Sequence, residues 1–93
     1  MPRSPNYFAD KTVVVTGAGS GIGRATALIF AREKANVVCA DIVGSAAADS
    51  ARMVTDLGAQ AIARTVDVTS REQVIAMTDA AIGHFGKVDF LPN

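Results

Sequence analysis

The sequence predicts an α/β chain, a parallel sheet with helices on both faces, built in the order β-α-β-α-β-α-β. Three observations carry this. Short β-branched runs alternate with longer stretches whose apolar residues recur at helical spacing. The connections between them are only a few residues long. The first run ends directly in a glycine-rich turn. Strands alternating with helices imply right-handed crossovers, which place helices on both sides of a parallel sheet.

The elements follow in order. Residues 1–10 include Pro2 and Pro5 and read as a tail, so the folded unit, one domain at most at this length, is expected over residues 11–93. Thr12 to Thr16 is apolar enough for a strand covered on both faces. Ile22, Ala25 and Ile29 then fall at i, i+3 and i+7, predicting a helix to about Lys34 with these residues on its apolar face. Val37 to Ala40 is a second strand. Ala46 to Leu57 forms a second helix through Ala47, Ala51 and Val54, with Gly58 as its left-handed C′ residue. Ala61 to Val66 is a third strand. Ser70-Arg71-Glu72-Gln73 has capping-box spacing, with Ser70 at N-cap and Gln73 at N3. Val74, Met77, Ala81 and Phe85 share one helical face, Gly86 ends that helix, and Lys87 to Leu91 starts a fourth strand.

Composition narrows the function. Nine Lys plus Arg balance nine Asp plus Glu. Such neutrality argues against nucleic acid or an acidic membrane surface as partner, because both call for a basic face. No stretch approaches the roughly 18 apolar residues of a membrane span, and the first ten residues lack the apolar core of a signal peptide. Cys39 is the single cysteine and lies in an apolar run, as a buried, inert thiol would. Together these point to a cytoplasmic-type compartment. One Cys and one His, His84, cannot build a metal site. His84 stands at a helix end beside Phe85, where a cationic residue complements the helix dipole.

The chemistry lies in the turn after the first strand, Thr16-Gly17-Ala18-Gly19-Ser20-Gly21-Ile22-Gly23. A turn here aims a helix N-terminus, with its free N–H groups and positive dipole end, beyond the strand's carboxyl end. Glycines let the backbone approach an anion such as pyrophosphate closely. The common dinucleotide fingerprint, with glycines at i, i+2 and i+5, is not matched, since Gly17 and Gly19 would require glycine where Ile22 stands. Nor does Gly-Lys-Ser/Thr follow, as a P-loop requires. What remains is Gly17-x-x-x-Gly21-x-Gly23.

That loop resembles the TGxxxGIG loop of the short-chain dehydrogenase/reductase family, whose fold is the Rossmann-type three-layer α/β/α sandwich. Asp41 after the second strand, Asp67-Val68 after the third and Gly86-Lys87-Val88-Asp89 before the fourth agree in order and spacing, so the resemblance covers about residues 8–93. It implies that backbone amides around Gly17, Ser20, Gly21, Ile22 and Gly23 face a cofactor pyrophosphate. It implies that the Asp67 side chain and the Val68 backbone border the adenine, and that Asn93 lies along the ribose. Asp41, 18 positions after Gly23, is placed to accept hydrogen bonds from both adenosine ribose hydroxyls and to repel a 2′-phosphate. Ser20 stands where phosphate-preferring relatives carry Lys or Arg. Both features favour NAD over NADP.

The chain also departs from the pattern. The family's Ser, its Tyr-x-x-x-Lys pair and a catalytic Asn follow this region, so residues 1–93 carry no catalytic group; Tyr7 and Lys11 have the spacing but precede the first strand. Pro92 replaces a residue usually apolar in a central strand, where proline removes a ladder N–H, and this leaves the placement of Asn93 open. Lys34 stands where glycine usually ends the first helix. It either adopts the left-handed conformation at about 1–2 kcal/mol or the chain turns differently. The resemblance implies an NAD-dependent oxidoreductase interconverting alcohols and carbonyls of small molecules, homo-oligomeric when intact, here truncated before its catalytic residues, inactive alone and poorly soluble or loosely folded. A non-catalytic nucleotide-binding or interaction product is the alternative.

Overall fold

The structure is a computed structural model and describes residues 8–89. Strand β1 (Thr12–Thr16) leads to helix α1 (Gly21–Arg32), β2 (Asn36–Asp41), α2 (Gly44–Asp56), β3 (Gln60–Thr65) and α3 (Arg71–Phe85). The three strands form one parallel sheet in the order β1-β2-β3, with Thr12 level with Asn36 and Asn36 with Gln60.

Period-two alternation divides the core between the two faces of this sheet. Val13 and Val15 of β1, with Val37 and Cys39 of β2, pack with Ala27, Ala31 and Val54 of α1 and α2. Val14, Val38 and Ala40 point the other way, onto Met77 and Ala81 of α3. The result is three layers, as the sequence predicts. Val13, Val14, Val37 and Val38 are fully buried or within 1% of it, and each such side chain stabilises the fold by roughly 1.5–3 kcal/mol relative to exposure.

One helix face differs from the expectation. Ile22 is 87% exposed, Ile29 is 52% exposed and Ala25 also faces solvent. The buried residues of α1 are Ala27 and Ala31, with Leu28 and Phe30 half-buried beside them. The cause lies at the helix start, where a Cβ on Gly23 would collide with the carbonyl oxygen of Gly17. The helix start is therefore pressed against the turn that follows β1, and the stripe that continues from it, Gly23-Ala27-Ala31, meets the sheet through small residues.

The other ends are as the sequence implies, with two refinements. Gly58 and Gly86 have φ of +88° and +85° after α2 and α3. Lys34 is left-handed at φ +65°, and its ammonium donates to the Leu57 carbonyl at 2.9 Å. A cation at the C-terminus of α2 offsets part of the backbone cost of Lys34. Ser70 Oγ caps α3 by accepting from the Gln73 N–H at 3.3 Å. Gln73 does not complete the box on Ser70, because its Oε1 accepts from the Asp67 N–H at 2.8 Å instead.

Residues 87–89 form no strand. The Asp89 N–H does donate to the Thr12 carbonyl at 2.9 Å, on β1, whose only strand partner among the described residues is β2. However, the Thr12 N–H donates to the Asp89 carboxylate, also at 2.9 Å. A side chain thus takes the donor that a ladder carbonyl would use. Phe90 and Leu91, the rest of the expected strand, lie outside the described residues, as do Pro92 and Asn93.

Candidate nucleotide-binding site

The site forms where β1 gives way to α1. Four glycines alternate through the turn and serve two purposes. Gly17 and Gly21 have φ of +64° and +57°, and nothing lies within 4 Å of where a Cβ would stand. They allow the turn and leave bare backbone on its open side. Gly19 and Gly23 face the interior, where a Cβ on Gly19 would come within 2.8 Å of Asp41 Oδ2 and one on Gly23 would strike Gly17. The sequence pattern passes over Gly19, yet it too has no room for a side chain, with Ala46 Cβ and Asp41 Oδ2 in the way. Its unmatched fingerprint spacing concealed it.

Hydrogen bonds pin the turn from several sides. The Ala18 N–H donates to the Ala40 carbonyl at 2.9 Å. The Gly19 N–H donates to Asp41 Oδ2 at 2.8 Å, and Asp41 Oδ1 accepts from the Val43 N–H at 2.9 Å. Asp41, at the end of β2, therefore fastens the glycine turn to the start of α2 before any ligand arrives. Ser20 is the N-cap of α1, but its side chain makes no capping bond, and the first turn holds no acid. The N–H groups of Gly21, Ile22 and Gly23, at the first three helical positions, have no intrahelical acceptor. This end of the site offers donors and a positive dipole.

The other end has the opposite polarity. A cleft of about 210 Å³ is lined by Gly17, Asp41, Ile42, Val66, Asp67 and Val68. It brings together four residues that the sequence singles out: Gly17, Asp41, Asp67 and Val68. Thr69 donates to Asp67 Oδ1 through both its hydroxyl, at 2.7 Å, and its amide, at 2.9 Å. These bonds, the hydroxyl first, hold the Asp67 carboxyl below the usual carboxylate range. Ile42 and Val68 flank the cleft with apolar side chains 65% and 58% exposed. Ile42 was not singled out from sequence, although an isoleucine directly after the expected ribose acid is a signal that could have been used. Asn93 lies outside the described residues, so the structure does not place it.

The arrangement suits a ligand with an anionic middle and a flat, donor-rich end. The amides and dipole of α1 match a pyrophosphate, while Asp41 and Asp67 can accept from hydroxyl or amino groups. Exposed Ile42 and Val68 can cover a ring. The bare backbone at Gly17 and Gly21 leaves room for close approach. An adenine dinucleotide fits each of these features. Among the described residues, no group of three or more His, Cys, Asp or Glu is placed to hold a metal ion.

A parallel sheet whose first strand enters such a turn, with an acid at the end of the second strand, defines the doubly wound dinucleotide-binding class. Comparison with known proteins narrows this further. The family model described as short chain dehydrogenase matches residues 11–93, and the chain belongs to that family. It is 43% identical to the 7alpha-hydroxysteroid dehydrogenase of Escherichia coli K12, over 100% of this chain and 37% of that protein. It is also 43% identical over 81 residues to a putative oxidoreductase, SadH, of Mycobacterium tuberculosis, covering 87% of this chain and 29% of that one. A solved 7 alpha-hydroxysteroid dehydrogenase complexed with NADH and 7-oxo glycochenodeoxycholic acid superposes with a TM-score of 0.90 at 41% identity, over 98% of this chain and 36% of that chain. NAD+-bound xylitol dehydrogenase gives 0.87 at 40% identity, over 91% and 33%. The chain thus spans about a third of the length of the relatives it matches. No helix among the described residues is long and apolar enough to cross a membrane.

Proposed function

We propose that residues 11–93 are the NAD-binding portion of an oxidoreductase that interconverts a small-molecule alcohol and its carbonyl. Bound NAD would supply the hydride acceptor or, when reduced, the donor. The turn from Gly17 to Gly23, with Ser20, Gly21 and Ile22, would hold its pyrophosphate. Asp41 would accept from the adenosine ribose, and Ile42, Asp67 and Val68 would border the adenine. Asn93 would extend the site along the cofactor ribose. In the family pattern the residues that move the proton follow position 93, so residues 11–93 would contribute cofactor binding rather than proton transfer. The lone buried Cys39 supports a reducing, cytoplasmic-type compartment.

The observation that carries the proposal is the Asp41 carboxylate, fixed to the glycine turn by the Gly19 N–H and lining the cleft beside Gly17. A carboxylate there accepts from ribose hydroxyls and opposes a 2′-phosphate. Isothermal calorimetry with NAD and NADP tests this. NAD is expected to bind at least tenfold more tightly than NADP. Equal affinity, or no NAD binding at millimolar concentration by a folded chain, would refute it.

A further inference from the structure

The glycine turn has a second anchor that its own sequence does not reveal. Ser50, in α2, is fully buried, and its hydroxyl donates to the Ala18 carbonyl at 2.6 Å. The same oxygen accepts from Arg24 Nε at 2.8 Å. Arg24 is the fourth residue of α1, directly after the three free amides, and its Nη2 reaches the Ala46 carbonyl at 3.5 Å. A chain of donors therefore runs from a guanidinium through a buried hydroxyl to the carbonyl at the centre of the turn. The Ala18 N–H is already held by Ala40, so both backbone polar groups of this fully buried residue are fixed internally. With Gly19 bonded to Asp41, Ala18 and Gly19 are tied to β2 and α2 at once.

We infer that Ser50 and Arg24 are positioning residues that preorganise the pyrophosphate-binding turn. They act through Ala18 rather than by touching cofactor, and the inference rests on the NAD-binding reading above. Loss of the Ser50 hydroxyl leaves a buried carbonyl and a guanidinium N–H without their partner. The turn can then satisfy Ala18 only by moving toward water, away from the geometry in which its amides converge on a phosphate. Binding to a preformed turn avoids an ordering cost that a loosened turn must meet.

The test uses Ser50→Ala and Arg24→Gln in the full chain. Arg24 is only half-buried, so its variant probes the same network without emptying a core position. Amide hydrogen exchange without ligand reports on the turn, and titrations with NAD and with adenosine, which lacks phosphate, report on binding. Exchange at Ala18 and Gly19 is expected to accelerate at least tenfold in both variants. NAD should bind about tenfold more weakly, while adenosine changes less than twofold. Unchanged exchange at the turn in both variants would overturn the inference, as would an equal loss for NAD and adenosine. If the unaltered chain binds no NAD, the functional reading falls, while exchange at the turn still decides whether Ser50 and Arg24 hold it.

Discussion

Replacing Asp41 tests two roles at once. Its carboxylate would oppose a 2′-phosphate and also holds the Gly19 and Val43 amides at 2.8 and 2.9 Å. Two unit charges at about 4 Å repel by roughly 1 kcal/mol in water and about 4 kcal/mol at an effective dielectric of 20. Removing the charge should therefore shift the NAD-to-NADP affinity ratio by roughly 5-fold to several hundred-fold toward NADP, at 1.4 kcal/mol per tenfold. The turn adds a separate effect. Hydrogen bonds to a charged acceptor contribute about 1.5–3 kcal/mol each, and Asp41 is half-exposed, which favours the low end. Asp41→Ala loses both bonds, so NAD affinity should fall by up to about 100-fold. Asp41→Asn keeps one acceptor oxygen and should lose about tenfold, with a comparable change in ratio. Calorimetric titration of both variants with both cofactors separates the effects. A ratio unchanged in both variants would refute the ribose role. Undiminished NAD affinity in Asp41→Ala would refute the anchoring of the turn.

Three further outcomes follow from packing and burial. Gly23→Ala places a Cβ against the Gly17 carbonyl and should cost about 1–3 kcal/mol by overpacking together with most NAD affinity; unaltered denaturant stability would contradict the close contact. Lys34→Ala loses the bond to Leu57 but keeps the left-handed strain, so urea unfolding should show a loss of about 1 kcal/mol, whereas in Lys34→Gly relief of strain offsets the lost bond to within about 0.5 kcal/mol. Burial pushes the Cys39 thiol up to about 11, partly offset by the Arg24 charge. Below the ordinary thiol value of 9.0 both states keep the proton. Above it only the unfolded state releases it, so stability should fall by on the order of 3 kcal/mol as pH rises from 9.0 to about 11, and alkylation at pH 8 should track unfolding.

Much of this fold was legible because it rests on local patterns. β-branched runs marked β1 and β2, Gly58 and Gly86 marked helix ends, and Ser70 marked a helix start. The face of α1 was not legible from hydrophobic periodicity, which favours large side chains. Ile22 and Ile29 outweigh Ala27 and Ala31 in such a reading, although close contact with β1 selects the alanines. The small stripe Gly23-Ala27-Ala31 was the available signal. Asp41 was legible because its distance from the glycines follows from the β-α-β unit. Ser50 was not, because its partners Ala18 and Arg24 lie 32 and 26 positions away. The reciprocal half of the capping box failed for a similar reason, since Asp67 offers Gln73 a partner outside the helix.

The turn from Gly17 to Gly23 and the cleft running from Asp41 to Val68 are proposed to form one NAD site. Amide chemical shifts followed during an NAD titration test it most directly. The largest shifts are expected at Gly17, Ser20 to Gly23, Ile42 and Val68, saturating together with one dissociation constant. Shifts confined to other surfaces, or turn and cleft amides that titrate independently, would contradict it.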